Sequence, residues 1–596
     1  MKYRIRIKNK TEKVKPKTVD HEPVIADRDA VITKDSKIET QSVMPKSTRS
    51  KEIGVRSKSV KTKSLKTKDQ RSELTLRDKR CMKMIEWGIL ALIVWTPLAA
   101  GSVYEWTVLI IELAVFSMMG AYILMKEKPG MSGELSLALK WPKYLFIGFF
   151  VLLFVQVFPW PKFLIKILAP GTYTFQESFS YGFSKIKFMS LSLVPSQTVK
   201  QGIELLAYFL LGFLIVKTVR TRKQIMRIVY TLVGMGVFQA VYGFIELSRE
   251  NAHILFYKKV HYLGTLTGTF VNRNHLSGYL EMLIPLAIGL IIAQIDVFSL
   301  AGLKWREKLL RLSEKGFYRN MLLTIGVIVM AMAIIFSRSR SGVFLVVFAF
   351  ILFFGLAGLY SGRIMYRQKW SEGFLKLTFL AVIFISLYMG ISATVERFAL
   401  DKVLAEGRPV VWANTVGISA DYPLFGSGLG TFGSVYPAYE ESWKSTSHFS
   451  HAHNDYLEYL SEVGWLGMVL LLGGILFVLV KTFIVWKDRQ HPEVKGLALG
   501  GMISVVLILI HSIGDFNLHI PANMLLFSVV LSLSAVIAFY RKRPVGSRQL
   551  ARKDQSAVGV SSKKQKAVKK VPGTFCYFFL NGRFFKKVPL KSARET

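Results

Sequence analysis

Apolar runs close to 20 residues long recur along most of the chain, and no other feature limits its fold as much. A helix of that length crosses the roughly 30 Å hydrocarbon layer of a bilayer. Twelve such spans can be drawn, at about 84–101, 105–125, 144–160, 202–217, 227–247, 275–295, 321–336, 342–360, 374–391, 463–486, 497–513 and 522–540. Lipid offers the backbone no hydrogen-bond partner, so each span has to satisfy its own amides as a helix. The expected fold class is therefore an all-α polytopic membrane protein with about 12 transmembrane helices. A hydrophobic fraction of 51%, with 13% aromatic residues and a mean hydropathy of +0.35 over 596 residues, agrees with these repeated runs and not with a soluble protein of this size.

The connecting segments set the expected orientation, because Lys and Arg collect on the cytoplasmic side. KEKPG (126–130), KTVRTRKQIMR (217–227), KWREKLLRLSEKGFYR (304–319), GRIMYRQK (362–369) and KDRQ (487–490) are all basic, and they alternate along the chain. With the N-terminus inside, they fall on one side, and an even number of spans returns the C-terminus there. The outer side then receives short segments at 161–201, 248–274, 337–341 and 514–521, and one long polar island between helices 9 and 10, residues 392–462.

The net charge of +40 is concentrated at the ends. Residues 1–80 hold 24 Lys and Arg against 11 Asp and Glu, and residues 541–596 hold 16 against 2. The expected organisation is a disordered basic cytoplasmic tail over 1–83, a membrane domain over 84–540 and a second basic cytoplasmic tail over 541–596. Beside a membrane domain such tails point to lipid as the partner, not nucleic acid. No cleavable signal peptide is expected, since the first apolar run begins near Met84. The two cysteines, Cys81 and Cys576, both fall in cytoplasmic segments and predict neither a disulfide nor a cysteine metal site.

Four arginines run against the charge bias and lie at outer helix ends: Arg273, Arg338, Arg340 and Arg408. Single arginines there can snorkel to phospholipid phosphates. As a set they suit an anionic ligand. Arg338 and Arg340 sit in FSRSRSGVF (336–344), a turn between two apolar stretches where Ser or Gly without charge would suffice, and two guanidinium groups there can grip a diphosphate. Arg273 opens a helix in FVNRNHLSGYL (270–280), with Asn272 or Asn274 as its cap and His275 beside it.

The polar island is dense at both ends. Gly407-Arg408-Pro409 reads as a helix start with Pro in its first turn. Trp412, four residues on, shares a face with Arg408 and suits either stacking on a sugar or anchoring at the interface. GSGLGTFG (426–433) is expected to be a flexible outer loop that shapes a cleft; no strand or Lys-Ser/Thr follows, as a phosphate loop requires. His448, His451 and His453 lack a metal-binding spacing, so no metal is expected. One of these histidines suits a general base, with His453 at a helix start and Asp455 or Glu458 to orient it.

The order FVNRNHLSGYLEMLIPL, SRSG, GRPVVW, PLFGSGLGTF and HAHNDYLEYLSEVGWLG resembles the O-antigen ligase and polymerase superfamily of bacterial inner membranes, over roughly residues 195–485. The resemblance implies a GT-C-like fold and a metal-independent, inverting glycosyltransferase that needs no cofactor. The implied donor is a glycan on undecaprenyl diphosphate at the periplasmic face. The implied acceptor is lipid A-core (ligase), a lipid-linked glycan (polymerase) or a protein hydroxyl. It assigns catalytic roles to His453, Arg408 and Arg340, with His451 and Arg338 as close alternatives, and leaves Arg273, Asn274, Trp412 and Asn454 for substrate binding. A transporter for an anionic lipid is the rival, and broken helices or charges buried mid-span would favour it.

Overall fold

The computed structural model describes residues 75–179, 182–294, 315–366, 380, 407–440 and 449–540. The chain divides after Arg71, and every described residue lies in the second part. The expected tails, apart from residues 75–83, and almost all of the span at 374–391 lie outside the described residues, as does His448.

The spanning helices are α1 (Leu76–Leu98), α2 (Glu105–Ile123), α3 (Lys140–Val157), α4 (Pro195–Thr218), α5 (Arg222–Leu247), α6 (Arg273–Gln294), α7 (Lys315–Phe336) and α8 (Arg340–Tyr366). After them come α9 (Arg408–Asp421) in the polar island, then α10 (Asp455–Lys487), α11 (Pro492–His511) and α12 (Pro521–Ala538). Ten helices among the described residues are long and apolar enough to cross a membrane, and α8 adds a shorter apolar stretch, Arg340–Leu356. The protein is thus an all-α multi-pass membrane protein. Among the described residues the strands form two tiny antiparallel pairs, Trp160–Pro161 with Phe188–Met189 and His253–Ile254 with Tyr257–Lys258. The first helix starts at Leu76, ahead of the apolar run, where Thr75 accepts from the Asp78 amide and caps it.

The helices differ in how deeply they are enclosed. In α6, 94% of the apolar window is buried by protein, and α11 and α12 follow at 89% and 83%, against 33% for α2 and 28% for α3. The first three form the centre and the others the lipid-facing ring. Glycines bring α6 and α11 into backbone contact. A Cβ on Gly289 would lie 2.3 Å from the Gly496 carbonyl oxygen, and one on Gly500 would lie 2.4 Å from that of Pro285. Small residues permit such close packing, which is how helices associate where the hydrophobic effect is absent.

A break in α10 organises the face that carries the polar island. Gly464 has φ +63°, a conformation open to glycine at little steric cost. Trp465 then donates from its amide to the Pro423 carbonyl at 2.8 Å. Residues before Gly464 form an outer helix, and those after it run on as the membrane span. The break is also where GSGLGTFG docks. The amides of Ser427 and Gly428 donate to the carbonyls of Ser461 and Glu462, both at 2.9 Å. Gln156 at the end of α3 donates to Phe425 and Glu462 carbonyls and accepts from the Leu429 amide. Ser427, Leu429 and Thr431 are fully buried. The glycine-rich run is therefore a packed seat, not the flexible loop expected from its composition, because its amides are taken up by neighbouring carbonyls.

Candidate active site at the outer helix ends

The site is built around a short turn between α11 and α12, Ser512–Phe516. Asp515, on this turn, is 1% exposed at its side chain. Asn274 donates to its Oδ2 at 2.5 Å, and the Phe516 amide donates to Oδ1 at 2.9 Å. His453 Nδ1 stands 3.5 Å from Oδ1, Arg408 Nη2 3.8 Å from Oδ2 and His275 Nε2 4.0 Å from Oδ1. Burial alone would favour the neutral acid. The nearby His453 imidazole and the charges of His275 and Arg408 outweigh it and hold the carboxyl well below the usual range.

Each partner is placed by its own element. Asn272 caps α6, its Oδ1 accepting from the Asn274 amide at 2.9 Å, which frees the Asn274 side chain for Asp515. Of the two candidate caps, Asn272 takes the role. Asn454 caps α10, accepting from the amides of Tyr456 and Leu457. His453 lies just outside that cap with φ +52°, an unfavourable region for a non-glycine residue. Arg408 opens α9 and donates to the Gly514 carbonyl as well as facing Asp515. Trp412 donates from its indole nitrogen to the Ala452 carbonyl at 3.0 Å, so its polar handle ties down the residue between His451 and His453.

The serine–arginine turn meets the same place. Ser337 and Ser277 of α6 share a hydrogen bond at 2.8 Å, and a Cβ on Gly342 would touch Ser277, so the turn is pinned to the start of α6. Gly514 faces Ser341. Arg340 opens α8 next to Ser341, and Arg338, exposed and with φ +57°, lies two residues before it. Arg273 lies at the rim, its guanidinium 5.0 Å from the Tyr262 ring.

Phe516 is the floor between three imidazoles. His451 stacks on it at 4.3 Å, and His275 and His453 meet it edge-on at 4.7 Å and 4.8 Å. Beyond His451 lies a second network. His451 Nδ1 is 2.7 Å from Glu458 Oε1, the other Glu458 oxygen accepts from the Ala452 amide, and His519 Nδ1 is 2.6 Å from Asp455 Oδ1. Asp455 and Glu458 were the carboxylates expected to orient His453. The structure gives that place to Asp515 and sets Glu458 against His451 and Asp455 against His519. Glu458 is held by His451 and the Ala452 amide, and Asp455 by His519 and the Leu518 amide.

His451, Glu458 and His519 present ligand atoms within 4.8 Å of one another, a set of the kind that holds a divalent cation. Burial would lower the His519 pKa, but Glu458 and Asp455 dominate and raise it to about 10. The three side chains are also held in pairs, His451 with Glu458 and His519 with Asp455.

Deeper in the bundle, His511 and Glu281 form a fully buried pair at 2.9 Å. It sits beneath Asp515 and belongs to the site's foundation. Sequence reading missed Asp515, Phe516, His519 and this pair. The signal available was the outer segment at 514–521, which carries Asp515 and His519 between two spans where a plain turn would do.

Residues 325–472 match the family model described as O-antigen ligase. The match takes in α7, α8, the polar island and the first part of α10, and with them Arg338, Arg340, Arg408, Trp412, His451, His453 and Asn454. No curated protein matches the chain. Arg338, Arg340, Arg408, His451 and His453 thus fall in the matched region, while Asp515, Phe516, Asn274 and His275 lie outside it. The match supports the O-antigen ligase and polymerase superfamily and, in general terms, glycan transfer from a lipid-linked donor to a glycan acceptor.

Proposed function

We propose that the protein transfers a glycan from undecaprenyl diphosphate to an acceptor hydroxyl at the periplasmic face of the inner membrane, and that the reaction is ligation of O-antigen to lipid A-core. Both termini are then cytoplasmic. The observation that carries this reading is the convergence of His453 and Arg408, from opposite ends of the polar island, on the Gly514–Asp515 turn.

With Nδ1 turned to Asp515, His453 keeps Nε2 for the acceptor. The acceptor oxygen attacks the anomeric carbon while the bond from that carbon to the diphosphate oxygen breaks. The hydroxyl proton passes to His453 Nε2, and the electron pair leaves on the diphosphate. Asp515 stabilises the imidazolium that forms, a service of the kind that an acidic partner gives a catalytic histidine. Arg408, Arg340 and Arg338 neutralise the leaving diphosphate, which is where preformed charge accelerates such a step. One displacement inverts the anomeric centre and needs no metal. Arg273, Asn274, Trp412, His451 and Asn454 position the donor and the loop that carries the base.

A deletion strain tests the reading through its lipopolysaccharide gel. Loss of all long glycan from lipid A-core supports ligation. A single capped repeat assigns polymerisation instead, and altered glycoproteins with normal lipopolysaccharide assign transfer to protein. An envelope unchanged in all three respects overturns glycan transfer.

A further inference from the structure

A cavity of about 720 Å³ runs between α3, α4, α10 and α12. At one end it is lined by Asp455, Tyr456 and Tyr459, just behind the site. At the other it reaches Lys140, Lys143 and Lys217. These ends lie on opposite faces of the bundle. Lys140 begins α3, whose far end carries Gln156 against the glycine-rich seat, and Lys217 closes α4, whose start adjoins Ser427. The cleft follows α3 from Lys140 to Phe150, roughly 15 Å of rise, and α10 from Asp455 to Val478. Its walls are hydrocarbon and aromatic, among them Phe150, Phe209, Leu471, Ile475 and Phe527.

The two ends differ in charge. Behind the site the Asp455 carboxylate is already paired with His519. At the far end, Lys217 has Lys143 and Arg220 as charged neighbours. The carboxylate of Glu134 faces Arg489 at 3.9 Å. An apolar trough with cations at one mouth is complementary to a lipid whose anionic head lies at that mouth and whose chain lies along the trough.

We propose that this cleft binds an anionic glycerophospholipid of the leaflet opposite His453, with its phosphate among Lys140, Lys143 and Lys217 and an acyl chain reaching toward Tyr456. The lipid would fill the gap beside α10 and brace the helix that carries Asn454 and the outer turn. A polyprenyl diphosphate bound for the site would need its charge at the other end, beside Asp455. The inference stands independently of the glycan-transfer reading.

The test uses the full-length protein purified in detergent, with phosphatidylglycerol, phosphatidylcholine and undecaprenyl phosphate as separate probes, read by native mass spectrometry and by thermal unfolding. Phosphatidylglycerol is expected to bind and raise the melting temperature at concentrations at least about tenfold below phosphatidylcholine. The K140Q/K143Q/K217Q variant should erase that preference. Leu472→Trp, which fills the trough and leaves the lysines intact, should weaken both phospholipids. If the triple variant does not fold, loss of the wild-type preference at high salt carries the same information. Equal binding of the two phospholipids by wild type overturns the proposal. So does displacement of phosphatidylglycerol by undecaprenyl phosphate whose own binding ignores the lysine substitutions.

Discussion

Asp515 holds its carboxylate 3.5 Å from Nδ1 of His453, although 62 positions separate them in the chain. The histidine comes from the end of a polar island and the aspartate from a turn between the last two helices. Neither alone defines a proton-transfer unit, and together they place Nε2 toward any substrate that reaches the site.

Asp515→Asn is expected to preserve the shape of the turn and lose the charge that orients and stabilises the His453 imidazolium. Transfer from a labelled lipid-linked donor in proteoliposomes should fall by about 10²-fold or more, with the donor concentration for half-maximal rate little changed. Full activity in a correctly inserted protein would remove Asp515 from the mechanism.

Arg408→Ala removes a guanidinium that faces both Gly514 and Asp515. The rate should drop by roughly 10²-fold and saturation should require more donor, whereas Arg408→Lys should recover part of the charge effect without the forked geometry. A donor concentration dependence equal to that of wild type would argue against contact with the diphosphate.

The His519 imidazolium makes stability depend on alkaline pH. Its folded pKa of about 10 lies above its ordinary value of 6.5, so the contribution is fully present below about pH 6.5 and is lost as pH rises toward 10. The melting temperature should decline through this window. His519→Gln should be less stable at neutral pH by about 3 kcal/mol and show a flatter decline, since Asp455 and Glu458 are left without their cation. Parallel pH curves for the two proteins would contradict the assignment.

Chelation separates the ion-pair account of His451, Glu458 and His519 from a metal account. Prolonged EDTA treatment followed by metal-free dialysis is expected to leave both melting temperature and transfer rate unchanged. A loss restored by Zn²⁺ would mean that these three side chains hold a cation after all.

Gly464→Ala places a Cβ 2.4 Å from the Leu424 carbonyl oxygen at a positive φ. The outer turn of α10 and the glycine-rich seat cannot both keep their positions. A destabilisation of about 2–4 kcal/mol is expected, with loss of transfer beyond what the melting curve explains. A variant with wild-type melting and rate would mean that the break is dispensable.

The membrane architecture was legible because lipid imposes one rule on every span, and the apolar runs at 105–125 and 522–540 correspond closely to α2 and α12. The site was legible where unusual residues were local: Arg408 beside Gly407, the doubled arginine turn, the histidines before Asn454. What escaped was pairing over long sequence separations. Nothing near His453 indicates that its carboxylate comes from residue 515, and Asp455 and Glu458 were the nearer choices. The glycine-rich run misled for a related reason, since composition reports conformational freedom but not the Gln156 side chain and Ser461 carbonyl that use its amides.

The contact between Gly289 and Gly496 bears on how the protein can work. Two helices that touch backbone to backbone behave as a single post, because any sliding would drive carbonyl oxygens into α-carbons. A rocking cycle of the kind that carries cargo across a membrane would have to pass through this post. Turnover is therefore better served by exchange of lipids at its periphery, with the centre fixed and the donor, acceptor and spent carrier doing the travelling.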